Sequence, residues 1–398
     1  MRKYIITSLF LMLLAGSVLL FALPGDRESI LSENREPKEM PAVSAAAIFD
    51  GSFESDFDEY VNDNTAFRSK LMRIYDIIHV RRGFTPEDSG RIISTTTDIG
   101  TGEAQESRLV LYKGRIMEMF TSSPENETNY AETLNTIRKN IDDNIEMYSM
   151  LIPTQLEFCD AAVSNVQDSE KEAIEFINSK LSDNIKTVDV YSRVQEAWQS
   201  DSYLYYWTDH HWNMNGAYCG YEAFADAAGF VPKTRDKYTY NETGSFYGSW
   251  YQKAKSELSP NQPKDICFYY DTSEKGNIKI KMRAEDAVTE YGEGSPVFHT
   301  DVIGYGVFFG GDNPLMEIIN TSNPDGETLM IVKDSYANAF IPWLINDFAR
   351  VIVIDPRSFE GSYLDEIERY SVTKVLFENY ILSTTYSDYW GMLGSRLE

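Results

Sequence analysis

The 398-residue chain carries 36 Lys and Arg against 62 Asp and Glu, a formal charge of −26, with 42% hydrophobic and 13% aromatic residues. That supplies apolar side chains for one large or two ordinary domains. It excludes a nucleic-acid-binding surface, which needs a basic face, and docking on anionic lipid through charge alone.

Arg2 and Lys3 precede an apolar run from Tyr4 to Leu23, about the 20 residues that cross a bilayer. No small-residue cleavage site follows, so residues 1–24 are expected to be a membrane anchor in preference to a cleaved signal segment. The flanking charges place the N-terminus inside and the main domain outside the cell membrane, as a single-pass protein, or secreted if the segment is removed. Residues 25–47 are polar, punctuated by Pro37 and Pro41, and read as a tether. A helical lead-in is expected over 48–105. Phe53, Phe57, Tyr60 and Val61 have helical spacing, Asp63-Asn64 breaks it, and a second amphipathic helix runs from Phe67 to Val80.

The main domain is expected over 106–398. Its first elements are a hairpin at Leu109–Ile116, a helix at 129–144 and a buried strand at 145–153. A helix at 161–181, a short strand at 188–190 and a helix at 192–200 follow. Gly216 to Ala228 reads as a helix capped by Asn213 or Asn215 and stopped at Gly229. From about 236 to 312 the chain turns rich in Tyr, Gly and alternating runs, a β-rich insertion of hairpins. Strand, helix, strand, helix, strand then follow over 328–377, the grammar of a parallel sheet with helices on both faces. Cys159, Cys219 and Cys267 show no CxxC spacing and no disulfide framework; one bridge or three buried thiols both fit.

The chemistry concentrates in two places. Thr208-Asp209-His210-His211-Trp212 holds two of the four histidines beside a carboxylate. The strand 328–332 ends in Lys333-Asp334-Ser335, directly before a helix whose free N–H groups suit a developing oxyanion. Ser335 as nucleophile, His211 as base and Asp209 as orienter are the roles that acyl transfer needs. The bland readings are a helix-capping serine and a structural histidine. Asp209, His210 and His211 are also metal-ligand types, but adjacent histidines diverge in a strand and no HExxH is present.

Asp209-His210-His211-Trp212 followed by Asn215-Gly216-Ala217 resembles the signature of the DHHW family, envelope proteins similar to the SGNH-hydrolase-like proteins that O-acetylate alginate. Phe57, Tyr60, Asp63, Phe67 and Arg68, the strand ending at Pro153, and Val332-Lys333-Asp334-Ser335-Tyr336 fit the same pattern. The resemblance implies an SGNH-hydrolase-like fold, a Ser335–His211–Asp209 triad, and an extracytoplasmic polysaccharide O-acetyltransferase. An acetylesterase and a non-catalytic polysaccharide-binding scaffold are the alternatives. A membrane-bound O-acyltransferase is the implied acetyl donor, and no cofactor is called for. Gly310, Gly311 and Asn338 are candidates for the oxyanion contact, with a tight turn as the competing role for the glycines. Trp207, Tyr247 and Trp250 are candidate sugar contacts, with packing as the competing role.

Overall fold

The computed structural model describes residues 39–44, 90–97, 105–258, 262–273, 277–284, 287–291 and 296–397, with Phe53, Phe57, Tyr60, Val61 and Asn64. The expected anchor at 1–24 and the second lead-in helix lie outside these residues. Among the described residues no helix is long and apolar enough to cross a membrane. The chain divides into two compact units, 1–86 with 255–262 and 87–254 with 263–398.

In the first unit Phe53, Phe57, Tyr60 and Val61 are helical, as their spacing predicts, with the Phe53 and Phe57 rings 5.7 Å apart. Asn64, where the break is expected, is itself helical, and its Nδ2 donates to the Tyr60 carbonyl at 2.9 Å, satisfying the amide within the turn.

The second unit begins with a three-stranded antiparallel sheet of β1 (Arg91–Thr97), β2 (Gln105–Tyr112) and β3 (Arg115–Glu118). The expected hairpin is β2–β3, closed by Lys113 and Gly114 at φ 48° and 77°, the paired left-handed residues of a two-residue turn. Then come α1 (Pro124–Asn140), β4 (Glu146–Ile152), α2 (Glu170–Lys180), β5 (Ile185–Val188), α3 (Val190–Trp198) and α4 (Met214–Ala228). The helix expected across 161–181 is interrupted. One turn at Ala161–Ser164 precedes α2, which starts where Ser169 Oγ accepts the Glu172 N–H. Helix α4 keeps its expected ends. Asn213 Oδ1 accepts from Asn215 and Gly216, and Gly229 closes it at φ 80°.

Next are β6 (Thr239–Phe246), α5 (Ser249–Ala254), β7 (Asp265–Asp271), β8 (Ile278–Ala284), β9 (Ala287–Tyr291) and β10 (Leu315–Asn320). The chain ends with β11 (Thr328–Lys333), α6 (Ala337–Leu344), β12 (Arg350–Ile354), α7 (Tyr363–Tyr370), β13 (Lys374–Tyr380) and α8 (Ser387–Ser395).

Eight strands form the central sheet in the order β5-β4-β13-β11-β12-β10-β8-β9. The first five are mutually parallel; β10, β8 and β9 continue it antiparallel. The strands over 328–377 are parallel, as their alternation with helices predicts, and the sheet is mostly parallel with an antiparallel edge that the sequence does not mark. The antiparallel pairs of the β-rich region 236–312 divide between two sheets. Only β6 and β7 stand apart as a ribbon, whereas β8 and β9 pair onto the main sheet through β10, which lies just beyond the expected insertion.

Strands β4, β11, β12 and β13 are almost wholly buried, which explains their unbroken apolar sequences. Tyr148 of β4 meets Phe224 of α4 edge-on at 5.3 Å, and it pairs with Leu376 of β13. The alternate β13 residues point the other way: Phe377 meets Tyr363 of α7, and Asn379 bonds Tyr130 of α1 and Tyr389 of α8. Helices therefore cover both faces. Buried charged residues stand at the carboxyl ends of β11, β12 and β13, as Lys333, Asp355 and Glu378, around the turn that carries Ser335.

Candidate active site

Residues 205–212 form a tight hairpin loop, closed by the Tyr205–Trp212 bridge and the bond from Tyr206 N–H to the His211 carbonyl, 3.1 Å. Asp265 of β7 anchors this loop. Its buried carboxylate accepts from the N–H groups of Trp207 and Thr208 and from the hydroxyls of Thr208 and Tyr203. The loop conformation corrects the expectation that His210 and His211 diverge. Their rings lie 3.7 Å apart, because the backbone bends between them instead of alternating as in a strand.

Asp209 is drawn back onto its own turn. Its Oδ1 accepts the His211 backbone N–H at 3.1 Å and sits 2.6 Å from His211 Nδ1, while Oδ2 accepts the Ser249 N–H at 2.8 Å. Burial by itself would raise this carboxyl. His211, His210 and the hydrogen bonds outweigh burial and hold it far below the usual carboxylate range. Gly248 makes the approach possible: a Cβ there would stand 2.3 Å from Asp209 Cβ and 2.6 Å from Oδ2.

Ser335 follows β11 and precedes α6. Its Oγ lies 2.8 Å from His211 Nε2, across 124 residues of sequence. Several bonds fix this turn. Asp334, buried, accepts from Tyr336 N–H at 3.0 Å and from Tyr380 N–H and the Ser383 hydroxyl, both at 2.9 Å, tying the turn to the end of β13. Trp212 Nε1 donates to the Tyr336 carbonyl at 2.7 Å, and the Tyr336 hydroxyl donates to the His210 carbonyl. The histidine loop and the serine turn thus hold each other. Trp212 reaches its place because Gly220 of α4 leaves room; a Cβ there would lie 2.8 Å from the indole.

Tyr305 completes the site. Its ring stacks on His211 at 3.6 Å and 5°, and its hydroxyl lies 2.8 Å from the carbonyls of both Ser335 and Tyr336. One residue therefore braces both the imidazole and the serine turn. Tyr305 stands in a Tyr- and Gly-rich stretch, where nothing in the spacing marks one tyrosine out.

His211 and Ser335 open onto a cavity of about 390 Å³, lined also by His210, Trp250, Lys253, Tyr305, Asn338 and Arg357. Asn338 Nδ2 holds Asp312 at 2.9 Å with one proton and has a second to offer. Gly311 also lines the cavity, but its N–H closes a turn onto the Phe308 carbonyl at 3.1 Å; Gly310 packs against the His299 ring and does not line it. Both glycines have positive φ, 73° and 114°, as a tight turn demands. Of the candidate sugar contacts, Trp250 lines the cavity. Trp207 and Tyr247 do not: Arg115 sits over Trp207 at 5.0 Å, and Tyr247 stacks on Tyr251 at 3.8 Å. Local packing takes both rings, and their sequence neighbours do not show this.

Below the turn lies a charged network. Lys333, fully buried, contacts Asp312 at 2.5 Å and Asp355 at 3.1 Å, and Arg357 joins the same two carboxylates. Glu378 is buried beside it, with neither carboxylate oxygen hydrogen-bonded. Burial, and then the charge of Asp334, push its carboxyl well above the usual range.

One ligand atom from each of Asp209, His210 and His211 falls within 4.8 Å of the others, close enough to suit a metal ion. Each side chain is already engaged, however: Asp209 with His211 and Ser249, His210 Nδ1 with Ser249 Oγ at 2.9 Å, and His211 Nε2 with Ser335. A metal would have to break the contacts that assemble the cluster.

The model of a family described as DHHW protein matches residues 83–354. Among solved structures the fold is similar to a DHHW family protein from Eubacterium siraeum, with TM-score 0.64 and 24% identity over 77% of this chain and 99% of that one. It is also similar to PatB1 of Bacillus cereus, with TM-score 0.58 and 17% identity over 71% of this chain and 99% of that one. Likeness to the O-acetyltransferase domain of AlgJ from Pseudomonas putida is lower, with TM-score 0.41 and 11% identity over 77% and 99% of the two chains. No protein of curated function matches.

Proposed function

Because the chain belongs to the DHHW family and carries an assembled Ser–His–Asp cluster, we propose that it is an extracytoplasmic polysaccharide O-acetyltransferase working through an acetyl-serine. The observation that carries this reading is the continuous relay from Asp209 Oδ1 through His211 to Ser335 Oγ, with contacts of 2.6 and 2.8 Å at the mouth of a cavity.

In the first half-reaction His211 Nε2 takes the Ser335 proton as Oγ attacks the acetyl carbonyl. The imidazolium returns that proton to the leaving group, and Asp209 stabilises it and fixes its tautomer. The Ser335 N–H, in the turn just before α6, and the second Asn338 Nδ2 proton are the donors we assign to the oxyanion. In the second half-reaction a sugar hydroxyl loses its proton to His211 and attacks the acetyl carbon. The Ser335 ester bond breaks and Oγ recovers the proton.

The domain works outside the cell membrane, held there by residues 1–24, and a membrane-bound O-acyltransferase delivers the acetyl group. No cofactor enters these steps. An acetylesterase would use the same residues with water as acceptor, and a binding scaffold would not use them.

The test is the purified full chain with a chromogenic acetyl ester and neutral oligosaccharides. Acetylated sugar that depends on Ser335 supports the transferase. Acetate alone assigns an esterase. Turnover equal in wild type and Ser335→Ala leaves only a scaffold.

A further inference from the structure

His210 is the member of the loop that the relay does not use. Its Nδ1 pairs with Ser249 Oγ at 2.9 Å, and its ring covers the face of His211 opposite the stacked Tyr305, at 3.7 Å. The other ring nitrogen, Nε2, has no partner among the described residues and is not sealed from solvent. The side chain is 25% exposed and lines the cavity beside Ser335.

Around it, helix α5 turns Ser249, Trp250 and Lys253 toward the same cavity. The Trp250 ring lies 5.5 Å from the His210 ring and is itself covered by Lys253 at 4.9 Å. Trp250, only 3% exposed, therefore backs His210 from behind, and what stands open next to the base is one hydrogen-bonding nitrogen.

The geometry points to His210 as the group that holds the acceptor: its Nε2 hydrogen-bonds a hydroxyl of the incoming pyranose and so aims the reacting hydroxyl at His211. This rests on the transferase reading above. Either tautomer serves, because a hydroxyl both donates and accepts. Burial, reinforced by the neighbouring His211, pulls the His210 imidazole down to about 3, so it stays neutral at working pH and adds no charge beside an imidazolium. Ser249 selects the tautomer through Nδ1.

The experiment compares His210→Phe, which keeps a ring over His211 but offers no nitrogen, with His210→Gln, which restores a polar atom near the Nε2 position. With the acetyl ester as donor, the ratio of acetylated oligosaccharide to free acetate is measured across acceptor concentrations. The ratio is internal to folded enzyme, so partial misfolding cancels. The expected result is an acceptor KM about tenfold higher and a correspondingly lower ratio in His210→Phe, with at least half of that loss on a logarithmic scale recovered in His210→Gln. Wild-type partitioning in His210→Phe, or equal loss in both variants, overturns the assignment and leaves His210 a packing residue. Acetyl transfer that persists in Ser335→Ala, or no Ser335-dependent transfer in the wild type, overturns the transferase reading instead.

Discussion

Replacing Asp209 with Asn keeps the shape of the site and changes only its proton logic. Oδ1 faces two donors, the His211 backbone N–H and Nδ1–H, and Oδ2 faces one, the Ser249 N–H. If the Asn carbonyl stays on His211, its amide meets the Ser249 N–H donor to donor, and the charge that stabilises the imidazolium is gone. Unit charges about 4 Å apart at an effective dielectric of about 20 attract by about 4 kcal/mol, close to 10³ in rate. If the amide flips, it donates to Nδ1 and puts the ring proton on Nε2, the atom that must accept from Ser335. Either arrangement predicts a fall in kcat/KM of about 10³–10⁴ and a stability loss of about 1–3 kcal/mol from the opposed donors. Stopped-flow hydrolysis of a nitrophenyl acetate reads the first and thermal unfolding the second. A loss of less than about tenfold, with Ser335 still acetylated, would refute the assignment of Asp209 as orienter.

Gly248→Ala sets a methyl against Asp209 and displaces its carboxylate, so acetyl-ester turnover should drop at least about 10²-fold while the fold persists by circular dichroism; near-normal turnover would contradict the close approach. Tyr305→Phe keeps the stack on His211 but removes the hydroxyl from the Ser335 and Tyr336 carbonyls. A fall of about tenfold in kcat with ester KM little changed is expected, and a pure KM effect would argue against bracing of the serine turn. Glu378→Gln addresses pH. Because the folded-state carboxyl titrates above its unfolded value near 4.3, the native state binds the extra proton. Its contribution is present below that value and is lost as pH rises through the window above it, by up to about 1.4 kcal/mol per pH unit. The Gln variant lacks this slope, so its Tm advantage over wild type should widen between pH 5 and 8; a constant or shrinking gap would mean that Glu378 folds as a carboxylate paired with Lys333.

The residues that perform the proposed chemistry could be read from sequence because their types and flanks are local. Asp209, His211 and Ser335 stand in motifs whose neighbours announce a loop and a strand–turn–helix, and the caps at Asn213 and Gly229 depend only on their own backbone. Buried strands such as β11 and β13 are likewise visible, since burial on both faces demands unbroken apolar runs. Strand pairing is another matter. Nothing within Leu315–Asn320 states that it lies antiparallel between β12 and β8, because register is decided by partners distant in sequence. The same distance hid Tyr305 and Gly248, whose importance lies in what they touch, and it misdirected Trp207 and Tyr247, which found other partners. The sequence by itself determined the chemical groups and the local turns that expose them, since those follow from side-chain type and backbone preference. Only the tertiary structure decided that His211 and Ser335 meet at 2.8 Å, that Tyr305 clamps both, and that His210, held by Ser249, lines the same cavity. Those facts depend on long-range packing of the sheet ends against one hairpin loop, which no local preference encodes.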